Sequence, residues 1–143
     1  MTKADFQSFL QEYDFQKYAD IVSNGNHAFF DSCQANWSGD GYVYLWVEGD
    51  ECSNNVSVVY VGKAGKTMKN RCDQHLGGFK GGSTGRAHSA RILSGISKEK
   101  SYCVYAKKSS SMTILGEQDI SMCCVEEIAL IKKLKPIWNF IGI

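Results

Sequence analysis

The sequence predicts an α+β fold, because strand-like and helix-like runs are grouped rather than strictly alternating. Two runs with strand character, Gly41–Glu48 and Val56–Gly62, flank a short loop rich in turn residues (residues 49–55), which reads as a β-hairpin. Helical patterns follow it, and one further strand-like run lies among them. At 143 residues the chain is long enough for one domain with a core that needs no disulfide or structural metal.

The elements follow in order. Phe6, Phe9, Leu10, Tyr13 and Ile21 fall near helical spacing, predicting an amphipathic helix from Asp5 to about Val22 with a polar turn at Ser23-Asn24-Gly25-Asn26. After the hairpin, Thr67–Leu76 reads as helix, closed by Gly77-Gly78. Lys80–Gly85 is so rich in glycine that it predicts a loop, Arg86 to about Ile96 a second helix, and Ser101–Lys107 a third strand. Met122–Lys135 predicts a long final helix that stops before Pro136. Residues 1–40 are expected to form an N-terminal helical extension packed on a core domain, residues 41–143.

No apolar run approaches the roughly 18 to 20 residues of a membrane span, and the first residues lack a secretory pattern. A soluble, cytoplasmic protein with no membrane partner is the expectation. None of the six cysteines makes a C-x-x-C pair, so free thiols are expected throughout.

The formal net charge is only +1, but it is segregated. Residues 63–108 hold eleven Lys or Arg against two acids, while residues 1–62 hold two lysines against nine acids. Such a distribution creates a positive face able to attract phosphate. A solvated surface with no ligand is the plainer alternative.

Glu127 stands out on helical geometry alone. At about 100° per residue, Cys123, Cys124, Ile128, Leu130, Ile131 and Leu134 share one broad arc with Glu127 near its middle, while Glu126 falls beside Lys133 on the polar side. A carboxylate there needs a metal, a cation or a hydrogen-bond network. Arg71 and His75 lie one turn apart on the same helix face, and arginine's planar donors suit two oxygens of a phosphate.

Taken in order, Tyr42-Val43-Tyr44 after Gly41, Tyr60-Val61-Gly62-Lys63, Arg71 with His75, and Glu127 nine residues before Pro136 and twelve before Asn139 resemble the active site of GIY-YIG nucleases. The likeness covers about residues 41–141. It departs from the family pattern in two places: Gly41 lies one residue early, and Arg71 sits one residue farther from the Tyr-Val-Gly motif than usual. The resemblance implies a three-stranded antiparallel sheet flanked by helices, with residues 1–40 outside it. It also implies one divalent metal per site, Mg²⁺ or Mn²⁺, on Glu127, and a catalytic set of Tyr44, Tyr60, Lys63, Arg71, His75 and Glu127. Tyr44 would help deprotonate water, with Lys63 as the cation that makes a tyrosine acidic enough. Lys66, Lys69, Lys80, Arg86, His88, Arg91 and Asn139 are the expected nucleic-acid-binding residues.

The implied activity is metal-dependent endonucleolytic hydrolysis of DNA, in a restriction, phage, mobile-element, repair or toxin setting. The alternatives are a non-catalytic nucleic-acid binding module and a small effector controlled by an inhibitory protein partner. A homodimer that cuts both strands fits the first reading.

Overall fold

Alternation along one strand decides the architecture. In β3 (Tyr42–Asp50), Tyr42, Tyr44 and Trp46 point to one side and Val43, Leu45 and Val47 to the other, and all six are buried. A strand buried on both faces must lie inside a sheet covered on both sides. The computed structural model describes residues 1–35 and 37–140; Asn36 and residues 141–143, the end of the domain expected over 41–143, lie outside the described residues.

The predicted hairpin is present as β3 and β4 (Val56–Ala64), and the third predicted strand as β5 (Lys100–Lys108), paired antiparallel with β3. The sheet does not stop at three strands. Its order is β2-β1-β5-β3-β4, with β1 (Gln16–Ser23) and β2 (Ala28–Asp31) added beyond β5. The helix expected from Asp5 to Val22 therefore ends early: α1 spans Lys3–Tyr13, capped by the Thr2 side chain and closed by Asp14 at φ 61°. From Gln16 the burial period falls to that of a strand. A bulge between Lys17 and Ala19 buries Tyr18 and Ala19 together, which hides the alternation from a sequence reading. The turn at residues 23–26 does exist, joining β1 to β2, with the Asn24 side chain accepting from the backbone of Asn26 and His27.

The glycine-rich segment is not a loop. Helix α2 runs Met68–Gly81 through Gly77 and Gly78, and α3 begins at Ser83 and ends at Ser97. The glycines allow close approach rather than a break: a Cβ on Gly85 would sit 2.2 Å from the Gly78 carbonyl carbon. Gly85→Ala is thus expected to force the two helices apart and destabilise the fold by about 1–3 kcal/mol, measurable by urea unfolding, whereas Gly81→Ala, with open space around it, should not.

Helix α4 (Cys123–Leu134) and the short 3₁₀ turn Ile137–Asn139 close the chain. Between β5 and α4 lies an unexpected hairpin, β6 (Ser111–Ile114) and β7 (Glu117–Ser121), exposed along nearly its whole length. Helices α2 and α3 and Trp138 cover the Tyr44 and Trp46 face of the main sheet, while α1 and α4 cover the Val43 and Leu45 face. No described helix is long and apolar enough to cross a membrane, and no disulfide occurs among the six cysteines.

Candidate active site

Tyr44 lies opposite Gly62 in the β3–β4 register, and a Cβ on Gly62 would come within 2.3 Å of the Tyr44 hydroxyl. Absence of a side chain there lets the phenol lie across the edge strand. Above it, α2 is capped by Thr67, whose hydroxyl accepts from the Asn70 amide, and presents Arg71 and His75 one turn apart. Arg71 Nε donates to the Tyr44 oxygen at 3.2 Å, and that hydroxyl lies 2.5 Å from His75 Nε2. Arg71 Nη1 is fixed by Gln74 Oε1 at 3.0 Å, a supporting contact that no sequence motif announces.

Burial sets the protonation states. The His75 imidazole is pushed down to about 3, first by desolvation and then by the Arg71 charge, so it is neutral at working pH. Placing its proton on Nδ1 leaves Nε2 to accept the Tyr44 hydroxyl. The Tyr44 phenol is held well above its ordinary range by burial and by Tyr60, while Arg71 pulls it back. Because the unfolded chain binds a proton at His75 between about pH 6.5 and 3 and the folded one does not, stability should fall as pH drops through that window. Urea midpoints of His75→Gln should fall less steeply there than those of the parent protein.

Tyr60, half-buried beside this group with its ring 6.4 Å from that of Tyr44, is raised by burial and lowered by Arg71. Arg71 is therefore the cation acting on both phenols. Lys63, expected in that role, follows the strand alternation to the α4 side, where its exposed amine meets Cys124 Sγ at 3.3 Å. Glu127 is half-buried on the arc of α4 that carries Cys123, Leu130 and Leu134, and its charge reaches both Tyr60 and Lys63. It makes no hydrogen bond or ion pair among the described residues. Cys124 and Ile128, placed on the same arc from sequence, are exposed. Glu126 is not on a purely polar side: it lies 3.7 Å from Lys107, accepts weakly from the Ser110 amide, and has one buried oxygen without a partner.

His88 is buried, with its ring 5.2 Å from Tyr60 and 5.5 Å from Trp46, and Arg91 donates to its Nδ1 at 3.2 Å. Burial keeps it neutral, and it backs the tyrosine wall rather than reaching solvent. Asn139 is engaged in the fold, not free for nucleic acid. Its Oδ1 accepts from the Val61 amide and its Nδ2 donates to the Val61 carbonyl, both at 2.8 Å, closing the exposed edge of β4. Asn139→Leu should therefore cost about 2 kcal/mol or more in unfolding free energy by stranding both groups. Lys66, Lys80 and Arg86 are exposed around α2 and α3, and Lys69 pairs with Asp73 at 3.0 Å on the surface. Trp138, between Pro136 and Asn139, was not singled out from sequence, yet its ring lies nearly parallel to His88, 6.1 Å away.

Among the described residues no three His, Cys, Asp or Glu side chains gather as a metal-binding cluster. One carboxylate is still a fitting donor for a hydrated Mg²⁺, which commonly takes one or two carboxylates and fills its other positions with water and substrate phosphate.

A five-stranded antiparallel sheet with helices on both faces places the chain in the α+β class. The chain matches no protein-family model and no curated protein sequence. Among solved structures it shares its fold with a single-alanine mutant of bacteriophage T4 EndoII, at a TM-score of 0.66 and 19% identity, over 93% of this chain and 97% of that one.

Proposed function

We propose that this protein is a metal-dependent endonuclease that hydrolyses DNA phosphodiester bonds through a GIY-YIG active site. The observation that carries the reading is the Tyr44 hydroxyl held between Arg71 Nε and a neutral His75, with Tyr60 beside it and Glu127, unpaired among the described residues, across the edge strand. The order of motifs and the fold shared with EndoII support it.

Tyr44 is too basic a phenol to ionise alone, so it works with its neighbour. As its oxygen takes a proton from the attacking water, its own proton passes to His75 Nε2. The imidazolium that forms is disfavoured in the resting protein first by burial and then by Arg71, and a phosphate lying on Arg71 offsets the second of these. Arg71's remaining donors face the non-bridging oxygens and stabilise the negative charge that grows on them. A divalent ion held by Glu127 would supply Lewis-acid stabilisation of the phosphate and leaving oxygen. The exposed cations Lys66, Lys80 and Arg86 hold the backbone electrostatically, so Lys80→Ala and Arg86→Ala should weaken binding more than turnover, as seen by comparing KM with kcat.

Incubation of the purified protein with duplex DNA and with RNA of matched sequence tests the substrate class. Cleavage of the duplex is expected, and cleavage of RNA alone would redirect the reading.

A further inference from the structure

Beyond His88, the same face of the sheet opens into a recess away from Tyr44. Continuing along β3 past Tyr44 and Trp46 brings Glu48 to that face. Around it a recess of about 400 Å³ is lined by Arg91, Ser94, Lys98, Lys100, Tyr102 and Trp138, among others. Three cations face one carboxylate, and that carboxylate is already used: Lys100 Nζ donates to one Glu48 oxygen at 3.1 Å and the Tyr102 hydroxyl to the other at 2.6 Å. Arg91 gives a single donor to His88, and among the described residues the rest of its fork makes no hydrogen bond. Lys98, one turn past Ser94 at the end of α3, makes no ion pair among the described residues.

The carbonyl end of α3 would oppose an anion if it were open. The Lys98 and Glu99 amides close it on Gly95 and Ile96. Glu99, the other nearby acid, faces Cys52, whose thiol donates to its carboxylate at 3.3 Å. Gly95 sets the depth of the recess, since a Cβ there would collide with the Tyr102 hydroxyl. Four residues of strand separate Tyr44 from Glu48, about 14 Å at about 3.4 Å per residue, or the rise of about four base pairs of duplex. The two positions are joined by a continuous wall of Tyr60, His88 and Trp138.

We infer that this recess is a phosphate-binding subsite, in which Arg91 and Lys98 hold a backbone phosphate of the DNA some base pairs away from the bond being cut. The inference rests on the nuclease reading, and it explains why basic residues continue along α3 well past the catalytic group.

The test measures binding without cleavage, on a Glu127→Ala parent in EDTA, by fluorescence anisotropy of a labelled duplex across a range of KCl concentrations. Lys98→Ala and Arg91→Ala added to the parent should each make the slope of log K against log salt shallower by about one unit, the loss of one phosphate contact. Lys132→Ala on α4 should leave it unchanged. Lys98→Ala, at an exposed position, keeps the test decisive if Arg91→Ala disturbs the packing of His88. Duplexes carrying one neutral methylphosphonate at successive positions should reveal a phosphate whose neutralisation weakens the parent but not the Lys98→Ala protein. A parent that binds with steep salt dependence while the Lys98→Ala slope is unchanged would overturn the subsite and leave the nuclease reading standing. A parent with no salt-dependent binding to DNA would overturn both.

Discussion

Glu127→Ala is expected to abolish cleavage, by at least about a thousandfold, while Glu126→Ala keeps most of it. The two carboxylates are adjacent and both half-buried, but they serve different surroundings. Glu126 lies against Lys107 and the Ser110 amide, beneath the Val43 face of the sheet and away from Tyr44. Glu127 has no protein cation within salt-bridge distance among the described residues, and its charge acts on Tyr60 beside the Tyr44 hydroxyl. Removing the side chain that would hold the metal forfeits several kcal/mol of transition-state stabilisation. It should cost little folding stability, because it breaks no hydrogen bond. Single-turnover rates and melting temperatures of the two variants check this, and equal loss of rate in both would contradict it.

Tyr44→Phe and Arg71→Ala should each lower kcat by at least about a hundredfold, with DNA affinity changed by much less. The phenylalanine keeps the ring that Gly62 accommodates and removes only the oxygen between Arg71 and His75. Both lost interactions strengthen as water loses its proton and charge gathers on phosphate, so they appear in kcat rather than in binding. A titration in which Arg71→Ala mainly weakens affinity would move Arg71 to the phosphate-holding set. Gly62→Ala offers a second approach to the same group: with no side chain added at Tyr44 or Arg71, it should displace the hydroxyl and reduce turnover by a comparable factor.

Much of this arrangement was legible from sequence because the informative residues lie close in the chain. The β3–β4 hairpin, the Arg71 and His75 pair and the final helix follow local periodicity and turn chemistry, and the structure has all three. The half-buried place of Glu127 on α4 follows from helical geometry, although the same geometry puts the exposed Cys124 and Ile128 on the apolar arc and the half-buried Glu126 off it. What failed depended on partners far away in sequence. The strands β1 and β2 exist because β5 offers an edge to pair with, and the bulge at Lys17 masks their alternation. Gly78 and Gly85 read as breakers because a sequence does not show that they face each other across two helices. Lys63 lies close to Tyr60 in sequence, yet residues three apart in a strand point to opposite faces, and Arg71 meets the phenols instead. Asn139 carried the right spacing, but its amide is spent on the backbone of the edge strand.

The most direct test is cleavage of supercoiled plasmid by the purified protein with Mg²⁺ and with EDTA. Conversion to nicked or linear DNA should occur with Mg²⁺, stop with EDTA and return when Mg²⁺ is restored in excess. Undiminished cleavage in EDTA, or none under any metal while the protein remains folded and bound to DNA, would contradict a metal-dependent nuclease built on Tyr44, Arg71, His75 and Glu127.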